Sequence, residues 1–335
     1  MPRVIDRPFR RRAAVLGAAT LAALLIPLAV PAGQAAACAC GVYSPAHGGS
    51  AAVAAETALV RDAGNGTEDV YLSLRLDSDV RTGALLFPVP DRHATVTAGP
   101  PTLFTDLAAL TAAPPTRPHA AGPGNGAAAP LVVVEHRQAI GPLDVATLWA
   151  RDAGALNTWL AGHGFTPKPA LATAAGAYLA RGWAFVAVRL RPEAAGTARL
   201  DGQLDPLHLR FRTTDLVYPM RLSHLATRPA RVTLYTLGAR PLALNTTIPG
   251  MRLRYAGQVP AGAGHALATV TAAGTTYLRR YDGALAPADI TGDFHFRAAA
   301  PVVTDRVSGR APAAGPILFP DGDRGAPVAA VSVVL

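Results

Sequence analysis

Leu131-Val132-Val133-Val134-Glu135-His136-Arg137 opens the stretch that decides the fold of this 335-residue chain, and Gly182-Trp183-Ala184-Phe185-Val186-Ala187-Val188-Arg189-Leu190 closes it. Between them run Ile140-Gly141-Pro142-Leu143-Asp144-Val145-Ala146-Thr147-Leu148-Trp149 and Asp152-Ala153-Gly154-Ala155-Leu156-Asn157-Thr158-Trp159-Leu160. The order reads strand, strand, helix, helix, strand. Asp152 suits an N-cap, because its carboxylate accepts free N–H groups of a first helical turn. Leu156, Trp159 and Leu160 follow at i, i+3, i+4, with Phe165 beyond, which makes an apolar stripe for packing on a sheet. Gly162 and Gly164 supply the stop. A second, Ala-rich helix is expected from Pro169 to about Ala180, and Trp183 to Leu190 alternates as a half-buried strand does. All three Trp lie in or beside this α+β unit.

Upstream, Val53 to Val60 and Asp69 to Leu76 alternate as strands, and Gly64-Asn65-Gly66 joins them as a hairpin turn. Leu85-Leu86-Phe87 is expected to be a third strand, ended by Pro88 and Pro90, which cannot donate to a central ladder. Leu103, Phe104, Leu107 and Leu110 share one face of a short helix. Residues 114–130 read as a flexible surface loop. Downstream, Arg191 to Gln203 reads as a linker or long loop. Leu207 to Arg212, Val217 to Leu222 and Val232 to Leu237 extend the sheet. Met251 to Tyr255, Thr276 to Tyr281 and Asp293 to Arg297 are shorter strands, with Asp282-Gly283 as a turn. No repeat of fixed period occurs. The expected fold class is α+β: a mostly antiparallel sheet with a few short helices packed on it and a β-rich C-terminal part. The expected organisation is a leader at 1–37, an α+β region at 38–190, a β-rich region at 191–307 of the same or a second domain, and a Pro/Gly-rich tail at 308–335.

The series Ile140-Gly-Pro-Leu-Asp-Val145, Leu156-x-x-Trp-Leu160, Gly164-Phe165 and Gly182-Trp-x-Phe-Val-Ala-Val-Arg-Leu190 resembles the bacterial domain of unknown function 2330 family. The likeness extends upstream through Cys38-Ala-Cys-Gly41, Glu56-Thr-Ala-Leu-Val60, Phe87-Pro-Val-Pro90 and Leu103-Phe-Thr-Asp-Leu107. Downstream it runs through Leu204-Asp-Pro-Leu207, Tyr218-Pro-Met-Arg-Leu222, Val232-Thr-Leu-Tyr-Thr-Leu237 and Leu285-Ala-Pro-Ala-Asp-Ile290. The resemblance implies a location and no mechanism, since the family has no established activity. Members often carry a C-terminal membrane-spanning helix. Here Ala326 to Leu335 is apolar but short of the roughly 20 residues a span needs, so none is expected.

The N-terminus carries an address. Arg3, Arg7 and Arg10-Arg11-Arg12 precede an apolar run from Ala13 to Val30, and Ala35-Ala36-Ala37 forms an A-x-A cleavage site before Cys38. This pattern predicts a secretory signal peptide and an extracytoplasmic protein; a retained anchor is opposed by Pro27 and Pro31. Arg11-Arg12 leaves the twin-arginine route open beside the general one. Five Arg and one Asp lie in the leader, so the formal charge of +9 falls to +5 once it is removed. Arg75, Arg189, Arg210, Arg212, Arg252 and Arg254 are scattered singly along strands, without the runs and interleaved aromatics that track a phosphate backbone, and no nucleic-acid partner is expected. A diffuse attraction to anionic envelope polymers or lipid surfaces is compatible with the charge. Cys38 and Cys40 admit three readings: a strained C-x-C disulfide, lipidation at Cys38, or metal or redox use.

Candidate chemistry is sparse. None of the seven Ser beyond residue 37 lies in a G-x-S-x-G elbow, and Ser223 and His224, read as neighbours on a strand, would face opposite ways. The nine His form no metal-binding spacing. Asp77/Asp79 and Asp321/Asp323 read as turns, and His163 as a helix-end residue. No metal and no cofactor is expected. Of four Glu beyond residue 37, Glu56 and Glu135 interrupt apolar strands, where a buried carboxylate needs a partner or a proton. Neighbouring strands would make them an acid/base pair of the glycosidase kind; otherwise they face solvent or pair with an Arg such as Arg189. The sequence therefore favours a non-enzymatic binding or scaffolding domain of the cell envelope, with a partner outside the membrane, over a carboxylate-dependent hydrolase using Glu56 and Glu135.

Overall fold

Gly83–Val89 and Ala184–Leu190 are apolar at almost every position, and the structure buries both faces of each strand. It is a computed structural model that describes residues 41–112, 137–138, 144–148, 154–191, 199–226, 228–271 and 274–302. In chain order the strands are β1 (Val42–Pro45), β2 (Ala51–Gly64), β3 (Thr67–Ser78), β4 (Gly83–Val89), β5 (Thr95–Ala98), β6 (Arg137–Gln138), β7 (Asp144–Leu148) and β8 (Ala184–Leu190). They continue as β9 (Gly202–Leu204), β10 (Leu207–Arg212), β11 (Val217–Tyr218), β12 (Ala230–Gly238), β13 (Leu242–Leu244), β14 (Met251–Gln258), β15 (Tyr277–Leu285) and β16 (Phe294–Ala298). Among the described residues four α-helices interrupt them: α1 (Leu103–Leu110), α2 (Gly154–Gly162), α3 (Pro169–Leu179) and α4 (His265–Thr271).

The fold is α+β. A four-stranded sheet runs β1-β4-β8-β7. A nine-stranded sheet runs β14-β15-β12-β2-β3-β10-β5, with β9 and β6 added beside β3. A small three-stranded sheet runs β11-β16-β13. Pairing is antiparallel except for β12 on β2 and β6 on β9. Strands from before and after residue 191 thus share the large sheet.

Alternation along the strands explains the layering. Leu85, Phe87, Val186 and Val188 face Val60, Val70, Leu72 and Leu234 of the large sheet in one core. Their neighbours Leu86, Phe185 and Ala187 turn the other way, onto Leu156 and Leu160 of α2 and Leu171, Ala175 and Tyr178 of α3. The far face of the large sheet, with Leu59, Tyr71, Tyr235 and Leu237, is covered by Leu103 and Leu107 of α1 and Leu267 and Val270 of α4. The order is helices, small sheet, large sheet, helices.

Several expectations take a different form. Pro88 does not end its strand: β4 continues to Val89 against β8, while its pairing with β1 stops at Leu86, so no β1 partner asks Pro88 for an N–H. Asp282-Gly283 is not a turn but mid-strand, opposite Thr233 and Val232. Gly283 is there for space, since a Cβ would stand 2.5 Å from Met251 Sδ and 2.8 Å from the Gly250 carbonyl oxygen. The strand expected over Val217 to Leu222 shortens to Val217–Tyr218 and passes into a 3-10 turn, Arg221–Leu225. Ser223 and His224 are therefore not strand neighbours, though Ser223 is buried and His224 exposed. The strand Leu131 to His136, Trp149, the Asp152 cap, the loop 114–130 and the tail from Ser308 lie outside the described residues.

Candidate functional site

Polar residues enter the large sheet at the hairpin end of β2 and β3, and alternation sorts them onto its two faces. Glu68 and Asp69 are adjacent, so one points between the sheets and the other outward. The outward row is set by register: Arg61 of β2 and Arg210 of β10 both lie opposite Asp69, and Thr95 of β5 lies opposite Arg210. In the next row Leu59, Tyr71, His208 and Thr97 stand across one another. Side chains paired in this way have Cβ atoms about 4.5–5.5 Å apart, close enough for direct contact.

Asp69, 1 % exposed, takes cations from both sides. Arg61 Nη1 donates to its Oδ2 at 2.6 Å, and Arg210 Nη1 and His208 Nε2 approach its Oδ1, each at 2.9 Å. Arg61 Nε also donates to the Thr275 hydroxyl at 3.2 Å. The His208 ring stacks on Tyr71 with centroids 4.3 Å apart and planes 6° from parallel, which holds the imidazole in place. Burial opposes ionisation of Asp69, but the hydrogen bond and charge of His208, together with Arg210 and Arg61, outweigh it and hold the carboxyl below its usual range. Burial and the Asp69 charge push the Tyr71 phenol up to about 12, so it stays neutral. Two guanidiniums stand against one carboxylate. What reaches solvent is Arg210, half exposed, with His208 beside it and Arg212 two residues on.

On the opposite face Glu56 and Glu68 enter the core between the sheets. Glu56 is 1 % exposed and accepts a hydrogen bond from the Tyr218 hydroxyl. Tyr218 itself packs against Phe87 at 6.4 Å. Glu68 Oε2 accepts the Val217 N–H at 3.0 Å, while its Oε1 is buried without a hydrogen-bond partner among the described residues. Burial raises the Glu68 pKa well above 4.5; the Val217 bond opposes this, and the charges of Asp62 and Asp69 add to it. The folded protein therefore keeps a proton on Glu68 at pH values above 4.5 where the unfolded chain has lost it, and stability falls as pH rises through that window. Glu68→Gln is expected to flatten this slope and to stabilise more at pH 8 than at pH 4, by about 1.4 kcal/mol for each tenfold displacement of the protonation equilibrium. Urea unfolding at the two pH values reads it, and an unchanged slope would contradict it.

Of the residues singled out from sequence, Glu56 is thus in the inter-sheet core, while Glu135, Cys38 and Cys40 lie outside the described residues. Arg189 packs its guanidinium 5.7 Å from the centroid of the Phe165 ring. Asp79 accepts the Ser50 N–H at 2.7 Å, as a turn residue does, and His163 closes onto the Trp159 carbonyl at 2.8 Å at the end of α2. Among the described residues no group of three His, Cys, Asp or Glu is placed to hold a metal, and no helix is long and apolar enough to cross a membrane. The Asp69 row was not singled out from sequence. The signal available was the placing of Arg61, Asp69, His208 and Arg210 at alternate strand positions, and only the register joins them.

The fold is an α+β domain in which two packed sheets, with a small third, are faced with helices. The chain belongs to the family of uncharacterised proteins conserved in bacteria designated domain of unknown function 2330, whose model matches residues 34–297. No curated protein matches the sequence. Among solved structures, it is similar to the crystal structure of baculovirus P35, at 8 % identity and a TM-score of 0.36, covering 74 % of this chain and 97 % of that one. A mutated baculovirus P35 after caspase cleavage matches at 8 % identity and a TM-score of 0.32, over 73 % of this chain and 100 % of that one. Likeness of this degree says nothing about activity.

Proposed function

We propose that this protein is an extracytoplasmic, non-enzymatic binding domain of the bacterial cell envelope, and that the outer Asp69 row meets anionic groups there. The observation that carries the reading is the saturation of Asp69 by Arg61, His208 and Arg210. A carboxylate held ionised by two guanidiniums and a histidine hydrogen bond is a poor proton acceptor, so the cluster is built to fix the arginines in place. Arg210 and Arg212 stand on one exposed strand face two residues apart, about 7 Å at a strand's rise, a rigid spacing for successive anionic groups. Glu56, one of the two carboxylates that a hydrolase would have used, is committed to Tyr218 inside the core.

Cosedimentation of the mature chain with envelope fragments tests this. Binding is expected to weaken with salt and to fall several-fold in Arg210→Glu, with the fragments left intact. Time-dependent release of soluble wall products, abolished by Glu135→Gln, would replace this reading with the hydrolase.

A further inference from the structure

Arg279 lies at mid-sheet on β15, between Thr236 of β12 and Ala256 of β14, and is 5 % exposed. Its Nη2 donates to the Ala300 carbonyl at 2.9 Å, while its Nε is buried with no hydrogen-bond partner among the described residues. Among the described residues no carboxylate pairs with it. Arginine does not shed its proton in a protein, so a full positive charge is held inside with donor capacity unused. Burying such a charge without an anion is strongly unfavourable. The guanidinium needs a counter-charge that the described chain does not provide.

The space beside it fits that need. Arg279 lines a cavity of about 240 Å³ whose other walls include Pro241, Ala256, Tyr277, Pro301 and Val302. Arg279 carries the only formal charge among the lining residues, and Gln258 the only side-chain amide. The strap over it is held, since Ala299 N–H donates to the Pro241 carbonyl at 2.9 Å just before the Ala300 contact. At roughly 30 Å³ for each water-sized group, the cavity takes about eight such groups, a body well below drug size.

We propose that this cavity binds a small carboxylate with an apolar body, its carboxylate on the Arg279 guanidinium and its hydrocarbon part against Ala256, Pro241 and Pro301. Nε is sealed from the cavity, but Nη1 and Nη2 match a carboxylate's two oxygens end-on, and the apolar walls exclude strongly hydrated ligands. The site is separate from the Asp69 row and stands whether or not that row meets the envelope.

The test is titration calorimetry of the mature protein with 4-methylpentanoate and with 4-methylpentanamide, which keeps the shape and removes the charge. The acid is expected to bind saturably and the amide at least tenfold more weakly. Arg279→Gln is expected to abolish the preference for the acid. Ala256→Leu, which fills the cavity and leaves Arg279 in place, is expected to abolish binding of both. If Arg279→Gln fails to fold, the acid and amide on the unaltered protein still decide. Equal binding of acid and amide, or no saturable binding by either, would overturn the proposal. An acetylated Ala-Leu dipeptide separates the two sources of such a carboxylate: binding as tight as the free acid marks a receptor for peptide ends, and weaker binding marks a small-molecule site.

Discussion

Asp69→Ala is expected to destabilise the protein by about 3–5 kcal/mol, as breaking a buried ion pair does when one charge is left behind. The effect falls mainly on Arg61, whose side chain is only 10 % exposed and whose other side-chain contact is the Thr275 hydroxyl. Arg210, half exposed, is rehydrated at little cost. The pH dependence carries a second signature. Because the folded pKa of Asp69 is depressed, its contribution is fully present above the unfolded value near 3.8 and is lost as pH falls through the folded value. Asp69→Ala should therefore lose less stability on acidification below pH 4 than the unaltered protein. Urea midpoints at pH 7 and pH 3 measure both effects, and a loss under about 1 kcal/mol at pH 7 would show the row to be a surface ion pair. The neighbour, Glu68, is expected to behave oppositely. One step along β3 reverses the face, and with it the sign of the pKa shift.

Asp293→Ala is the second large loss, also about 3–5 kcal/mol, and it arises from orphaned donors rather than from a stranded charge. The Asp293 side chain is 1 % exposed and accepts from the Tyr178 hydroxyl, from Met220 N–H at 3.0 Å and from Arg221 N–H at 3.1 Å. It ties α3 and the turn at Arg221–Leu225 to the start of β16. Arg181, bound at 3.0 Å and 42 % exposed, adds little to the loss. Burial, the charge of Asp293 and its hydrogen bond all push the Tyr178 phenol upward, so it acts as a neutral donor. A double-mutant cycle with Tyr178→Phe is expected to give a coupling of about 1–2 kcal/mol, since the phenylalanine variant removes the donor that the alanine variant strands. Trp183, with its ring 5.1 Å from Tyr178, reports local loosening by fluorescence, and additive losses would contradict the account.

The strands and helices were legible where one periodicity ruled. β2, β3, β8, β12 and the helices α1 and α2 follow from alternation and from helical spacing, and α3 from its alanine content. α4 was not legible, because seven residues with Thr and Val among them carry no helical preference that survives without the sheet beneath. Asp282-Gly283 has the composition of a turn, and only the approach of Gly250 and Met251 explains a glycine in a paired strand. Glu56 stood out in sequence because it broke an apolar run. Its partner Tyr218 is 162 residues away, and nothing local pointed to it. The Asp69 row needed the register of three strands, one of them brought in from beyond residue 200. Arg279 and Arg280 were not singled out from sequence; alternation sends Arg279 into the interior, while Arg280 bonds Asp282 and the Thr111 hydroxyl on the other face.

A binding domain of the envelope must first leave the cytoplasm with its leader removed, and the intact mass of the native protein, recovered separately from cytosol, membranes and culture fluid, tests that most directly. The account predicts a chain lacking residues 1–37 and beginning at Cys38, outside the cytosol. Loss of two hydrogens would close the Cys38–Cys40 ring, and an added diacylglyceryl group would make Cys38 the anchor. A full-length chain that retains its leader and stays in the cytosol would contradict it.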